Sequence, residues 1–256
     1  MTARPSMLAA LCLGTLAAWK SATLSALNHY RLELKTTVVQ DLTSLGQGEQ
    51  RQEFSNTGFL SVSTQDSAGG TAVTFVLDSF VVGAGSPIPA EAAKTAAGAT
   101  WHGFRGPGGR ISEIKLEREN QVAGVIEPAV QQLLPPLRAG ARDGQSWTDT
   151  TDSGIEGISV RTVTNFQTST DSYNGAKVLR LAGAFSSALS GQQESPQGTM
   201  SIEGNGTGIN TWLVGTDGTC LSATHQANQN LTISVAQLPQ PIPMTVRIEG
   251  NVTLLK

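Results

Sequence analysis

Two stretches near the C-terminus decide how this chain is read: CLSATHQANQNLTISV at Cys220–Val235 and IPMTVRIEGNVTL at Ile242–Leu254. In the first, Leu221, Ala223, Ala227, Leu231, Ile233 and Val235 share one face. Cys220, Ser222, Thr224, Gln226, Asn228, Asn230, Thr232 and Ser234 share the other, which is polar and uncharged. In the second stretch, Ile242, Met244, Val246, Ile248, Val252 and Leu254 oppose Thr245, Arg247, Glu249, Asn251 and Thr253. Alternation with a period of two marks a strand with one face on a core and the other in water. Between the two lies Leu238-Pro239-Gln240-Pro241, which cannot continue a ladder because proline has no N–H to donate.

The same pattern recurs upstream. Tyr30, Leu32, Leu34 and Val38 alternate with Arg31, Glu33, Lys35 and Thr37. Ile158 and Val160 run into Phe166, and Leu179 and Leu181 into Phe185. Asn174-Gly175 between those runs predicts a type I′ hairpin turn, which needs positive φ at both central residues. Asp217-Gly218 predicts a second hairpin. Val73 to Val82 is apolar on both faces apart from Thr74, Asp78 and Ser79, which predicts a central strand covered on both sides.

Two segments break the period. Pro89 to Ala97, rich in alanine and followed by Gly98, predicts a short helix. Val122, Val125, Ile126, Ala129, Val130, Leu133, Leu134 and Leu137 recur at helical spacing, as one apolar stripe. Pro128 inside that stripe predicts a kink or the start of a second helix, and Pro135-Pro136 its end. A helix this apolar needs a sheet to lie against. The expected fold is therefore mainly β: a curved antiparallel sheet or half-open barrel with one or two short helices packed on the concave face. Thr100-Trp101 and Thr211-Trp212 each precede a turn and a strand, which raises the alternative of two related β halves, 27–138 with the helices and 139–256, continuous with each other.

The 256 residues carry 17 Lys+Arg against 20 Asp+Glu, a net charge of -3, so the basic excess that neutralises phosphates is missing and nucleic acid is excluded as an expected partner. At the N-terminus, Arg4 precedes an uncharged, largely apolar run from Met7 to Trp19. That run suits a signal-peptide core and is too short for a membrane span, so residues 1–26 are expected to be a signal peptide and the mature protein to be exported without a stable membrane span. The destination is the periplasm, the cell surface or the medium. Cys12 belongs to the apolar run, and its removal leaves Cys220 alone, with no internal disulfide and no cysteine-based zinc site.

Motifs for chemistry are sparse. His29, His102 and His225 are not at metal-ligand spacing, and no Gly-x-Ser-x-Gly elbow occurs. Gly204-Asn205-Gly206-Thr207-Gly208 is followed by strand-like residues, so it reads as a strand whose small residues allow a bend or a close approach by the helix. Arg105 and Arg110 flank the glycine-rich Gly106–Gly109 turn without a helix start to hold a phosphate. Glu113, Glu117 and Glu119 share a strand face, and Asp143, Asp149 and Asp152 flank Trp147 in what reads as a polar loop. Asn205, Asn230 and Asn251 each begin an Asn-x-Thr acceptor pattern for N-glycosylation. No catalytic residue, metal site or cofactor is expected.

The order of these parts carries a resemblance. An export signal, polar-faced strands and a proline-broken helix lead into LPPLRAG at Leu134–Gly140, then DGQSWT at Asp143–Thr148, then more strands. This resembles exported bacterial β-rich families known only as domains of unknown function. More distantly, the layout is similar to periplasmic lipoprotein carriers, and that similarity implies a half-open barrel closed by helices around an apolar cavity. The expected function is thus a non-enzymatic cell-envelope protein that binds an apolar ligand or lipid between sheet and helix. Val125, Ile126, Val130, Leu133, Leu134, Val246 and Ile248 are the expected lining. The same residues serve equally as a dry core. A structural or adhesive surface module and a hydrolase using the acidic residues are the alternatives.

Overall fold

The computed structural model describes residues 27–106, 114–118, 120–138, 140–155, 157–195, 198–238 and 240–255. The expected signal peptide, Cys12, Glu113, Glu119 and most of the glycine-rich turn lie outside the described residues, as do the side chains of Val125 and Pro128.

The strands are β1 (Leu27–Leu42), β2 (Gly48–Ser67), β3 (Gly70–Val82), β4 (Thr100–Arg105), β5 (Lys115–Leu116), β6 (Ser146–Ile155), β7 (Ile158–Tyr173), β8 (Ala176–Ser195), β9 (Gly198–Val214), β10 (Cys220–Val235) and β11 (Ile242–Leu255). Helix α1 (Ala90–Thr95) joins β3 to β4, and α2 (Gln121–Gln131) precedes β6. All eleven strands form one antiparallel sheet in the order β5-β4-β3-β2-β1-β11-β10-β9-β8-β7-β6, which is not closed into a barrel. The seam is the β1–β11 pairing, from His29 opposite Leu255 to Gln40 opposite Met244. Strands before α2 lie on one side of β11 and strands after it on the other, in a continuous sheet.

The sheet is curved. Arg105 on β4 and Cys220 on β10 stand five strand steps apart, about 24 Å in a flat sheet. Arg105 nevertheless lies near enough to Cys220 for its charge to act on the thiol. Tyr30 on β1 likewise donates its hydroxyl to the Cys220 carbonyl at 3.0 Å.

Turn chemistry sets the register. Asn174 (φ 50°) and Gly175 (φ 80°) take the paired positive dihedrals of the predicted turn, and Tyr173 sits opposite Ala176. At the second hairpin Gly218 has φ 85° while the Asp217 carboxylate accepts from the Thr219 N–H at 3.0 Å.

Helix α2 begins at Asn120, whose side-chain oxygen accepts from the N–H groups of Val122 and Ala123 at 3.0 and 3.1 Å. The stripe then buries Val122, Ala123, Ile126, Ala129 and Val130, with Leu133 and Leu134 in the turn beyond. Of the two outcomes expected at Pro128, a second helix does not start there, and α2 runs through it to Gln131. The missing N–H costs one hydrogen bond, and burial of the apolar stripe outweighs it.

Three further expectations are corrected. The Val73–Val82 strand is covered on one side only: Val73, Phe75, Leu77 and Phe80 are buried, whereas Val81 on the other face is 58% exposed. No described layer packs on that face. Trp147, Asp149 and Asp152 belong to edge strand β6, not to a loop. The polar threonines around them are compatible with a strand that has water along one edge. Gly204, Gly206 and Gly208 do lie in a strand, β9, but of the two uses expected for them the close approach by a helix does not occur. A Cβ at Gly204 would fall 2.6 Å from Leu231, and a Cβ at Gly208 would meet the Phe185 ring, so neighbouring strand side chains fill that space.

Candidate functional site

Strand length governs what lies on the inner face, the one that carries α2. An eleven-residue helix is about 16 Å long. Strands β2 and β8, at 20 residues each, run about 65 Å. The helix therefore covers one end of the sheet only.

Cross-strand rows show where the core stops. In one row Leu181, Trp212, Ala223, Val252 and Leu32 stand opposite one another in sequence, and all are buried. Trp212 Nε1 donates to the Gln132 carbonyl at 2.7 Å, which fixes the end of α2 above this row. The next row runs Gly183, Asn210, His225, Gly250, Leu34 and Asn56. It is the polar border of the core. Beyond it the inner face stays uncharged and largely apolar while burial falls off. The following rows bring together Phe185, Gly208, Ala227 and Ile248, then Ser187, Gly206, Gln229, Val246 and Val38, then Leu189, Gly204, Leu231, Met244 and Gln40. Apart from the buried Ala227 and Gly206, these residues are partly exposed. Opposite them on the outer face, Asn205, Thr207, Asn228, Asn230, Thr232 and Thr245 are exposed. Four of these, Asn205, Thr207, Asn230 and Thr232, belong to the Asn-x-Thr patterns of the sequence.

The expected lining residues thus separate into two groups. Ile126, Val130, Leu133 and Leu134 are buried in the core between α2 and the sheet. Val246 and Ile248 lie in the partly exposed rows past the helix. The sequence reading missed His225, Asn210 and Phe185 as a group, and it gave Leu231 and Met244 no role beyond core. The signal was present in strand length: alternation persisting far past the reach of one short helix.

His225 sits at the border row. Its Nδ1 bonds the side-chain oxygen of Asn210, and its ring lies flat against Phe185, 5.8 Å between centroids and 4° between planes. Burial pushes its pKa below the ordinary histidine value, so the ring is neutral at pH 7.

A groove of about 680 Å³ lies along the strands past the helix. Its lining combines the carboxylates Asp41, Glu49 and Glu203 with Asn205, Asn230 and Thr232 from the outer rows and Leu189, Leu231 and Met244 from the inner ones, and holds no lysine or arginine. No group of three or more His, Cys, Asp or Glu among the described residues is placed to hold a metal ion.

A Ser–His–Asp grouping also occurs on the outer face. A bulge in the β2–β3 pairing turns Asp78 toward Ser61, whose hydroxyl lies 2.8 Å from Asp78 Oδ2 and 3.0 Å from His29 Nδ1. The serine stands between the other two. A relay needs the histidine there, taking the serine proton while the carboxylate holds it. His102 lies 3.7 Å from Glu117, and both are half exposed.

These features define an open antiparallel sheet, filled by a helix at one end and presenting an apolar inner face at the other. No helix among the described residues is long and apolar enough to cross a membrane. No family model matches the chain, and no curated protein matches it.

Proposed function

We propose that this is an exported cell-envelope protein that holds an uncharged hydrocarbon chain, such as the tail of a lipid, along the inner face of its sheet past the end of α2. One observation carries the reading: the inner rows stay uncharged beyond the core that α2 completes, with Val38, Leu189, Leu231, Met244 and Val246 partly exposed among Ser187, Gln229 and Gln40. A contiguous apolar surface left open to water marks a binding surface. From β8 to β1 those rows contain no charged residue, so they favour a hydrocarbon and offer no counter-ion.

The test uses N-phenyl-1-naphthylamine, whose fluorescence rises in an apolar environment. The wild-type chain is expected to bind it, and Leu231→Asp and Val246→Asp each to weaken binding at least about tenfold by placing a carboxylate in the rows. Unchanged binding in both variants overturns the reading. Native mass spectrometry of protein purified from its own host is expected to show a releasable lipid-sized adduct.

A further inference from the structure

We propose that the His225–Asn210 pair is the head subsite of this trough, and that its ligand is a long-chain lipid ending in a hydroxyl, which donates its proton to His225 Nε2. This rests on the trough reading above.

Position is the first argument. The pair stands in the border row, with the dry core on one side and Phe185, in the first row of the trough, on the other. A chain lying over Leu231 and Val246 with its end at this row places its head against His225.

The second argument is the proton. Asn210 presents its carbonyl oxygen to His225 Nδ1, so Nδ1 carries the hydrogen and Nε2 keeps the lone pair. No described residue bonds Nε2. Stacking against Phe185 fixes the ring plane, so the lone pair has a set direction. A neutral imidazole held in this tautomer accepts one hydrogen bond at Nε2, from water or from a ligand's donor. A hydroxyl is such a donor, while an ether or ester oxygen is not.

Charge is the third. The groups shown against the ring are Phe185 on β8 and Asn210 on β9, and the side chains over neighbouring Gly250 on β11 are Leu34 and the Gln132 amide, none of which titrates. A carboxylate or phosphate head would lose its water there and gain no cation.

Displacement of N-phenyl-1-naphthylamine by dodecan-1-ol, dodecyl methyl ether and dodecanoate at pH 7.5 tests this in the full chain. The alcohol is expected to displace the probe at about fivefold lower concentration than the ether, the worth of one neutral hydrogen bond. In His225→Phe, which keeps an aromatic ring and removes the acceptor, that preference is expected to vanish. Equal displacement by alcohol and ether in the wild type overturns the head subsite and leaves the trough standing. Dodecanoate as strong as the alcohol overturns the choice of a neutral head. Failure of all three to displace bound probe overturns the trough itself.

Discussion

Trp212 donates its indole N–H to the main-chain carbonyl of Gln132 across 2.7 Å, and this bond sets where α2 ends over the sheet. Gln132 caps the helix, and its carbonyl is among those that the helix itself cannot satisfy. Trp212→Phe keeps an aromatic ring in the buried row but removes the donor and leaves the carbonyl without a partner. The expected loss is about 1–3 kcal/mol, read as a lower urea midpoint at unchanged slope. An unchanged midpoint would show that the helix end is held by packing alone.

The two ends of the sheet are expected to answer differently to substitution. Ile126 is fully buried on the core face of α2, so Ile126→Ala should cost about 2–5 kcal/mol and leave probe binding intact in the folded fraction. Leu231 is partly exposed past the helix, so Leu231→Asp should cost far less stability and abolish most of the binding. Urea denaturation and probe titration on both variants check the pair. Loss of binding in Ile126→Ala at full folding would place the ligand beneath the helix instead.

Much of this fold is written locally. Period-two alternation in Cys220–Val235 and Ile242–Leu254 depends only on which residues face the core, and Asn174-Gly175 on the dihedrals one turn demands. The apolar stripe of α2 is similarly local. The one-sided cover of the Val73–Val82 strand is not legible in sequence, because an apolar residue on a solvent face, such as Val81, looks the same there as one under a second layer. The border row was illegible for a different reason. Asn210, His225 and Gly250 lie on three strands, and only the β9–β10 and β10–β11 registers bring them side by side. Asp78 reaches Ser61 through a bulge that no spacing rule announces.

His225 gives the fold a pH dependence of known sign. Its folded pKa lies below the unfolded value because burial penalises the charged ring. Well above the unfolded value near 6.5, both states are neutral and stability is complete. As pH falls through that value the unfolded chain takes up a proton that the folded chain refuses, and stability is lost until the folded ring protonates too. Between pH 7.5 and 5, the wild type is therefore expected to lose more stability than His225→Gln. Equal losses in urea titrations at the two pH values would show that the ring is no better shielded than in the unfolded chain.

Cys220 tests whether the near end of the core is closed. The residue is 3% exposed, at the start of β10, and its carbonyl accepts the Tyr30 hydroxyl. Burial pushes the thiol up to about 12, against a small opposing effect of the Arg105 charge. At pH 8 such a thiol is thiolate in roughly one molecule in ten thousand, and the thiolate is the reactive form. Native protein is thus expected to resist 5,5′-dithiobis(2-nitrobenzoate) for hours, and the same thiol to react within minutes in 6 M guanidinium, with the modified residue assigned by peptide mass. Because both shielding and the raised pKa come from the same packing, Tyr30→Phe separates them: it removes the hydroxyl over the Cys220 carbonyl and keeps the ring. If the native thiol reacts as fast as glutathione, the curved end of the sheet is open and the buried contacts around Tyr30, Arg105 and Cys220 do not hold in solution. If it reacts slowly in the wild type and severalfold faster in Tyr30→Phe, the hydroxyl closes that end, because the variant's packing is otherwise the same.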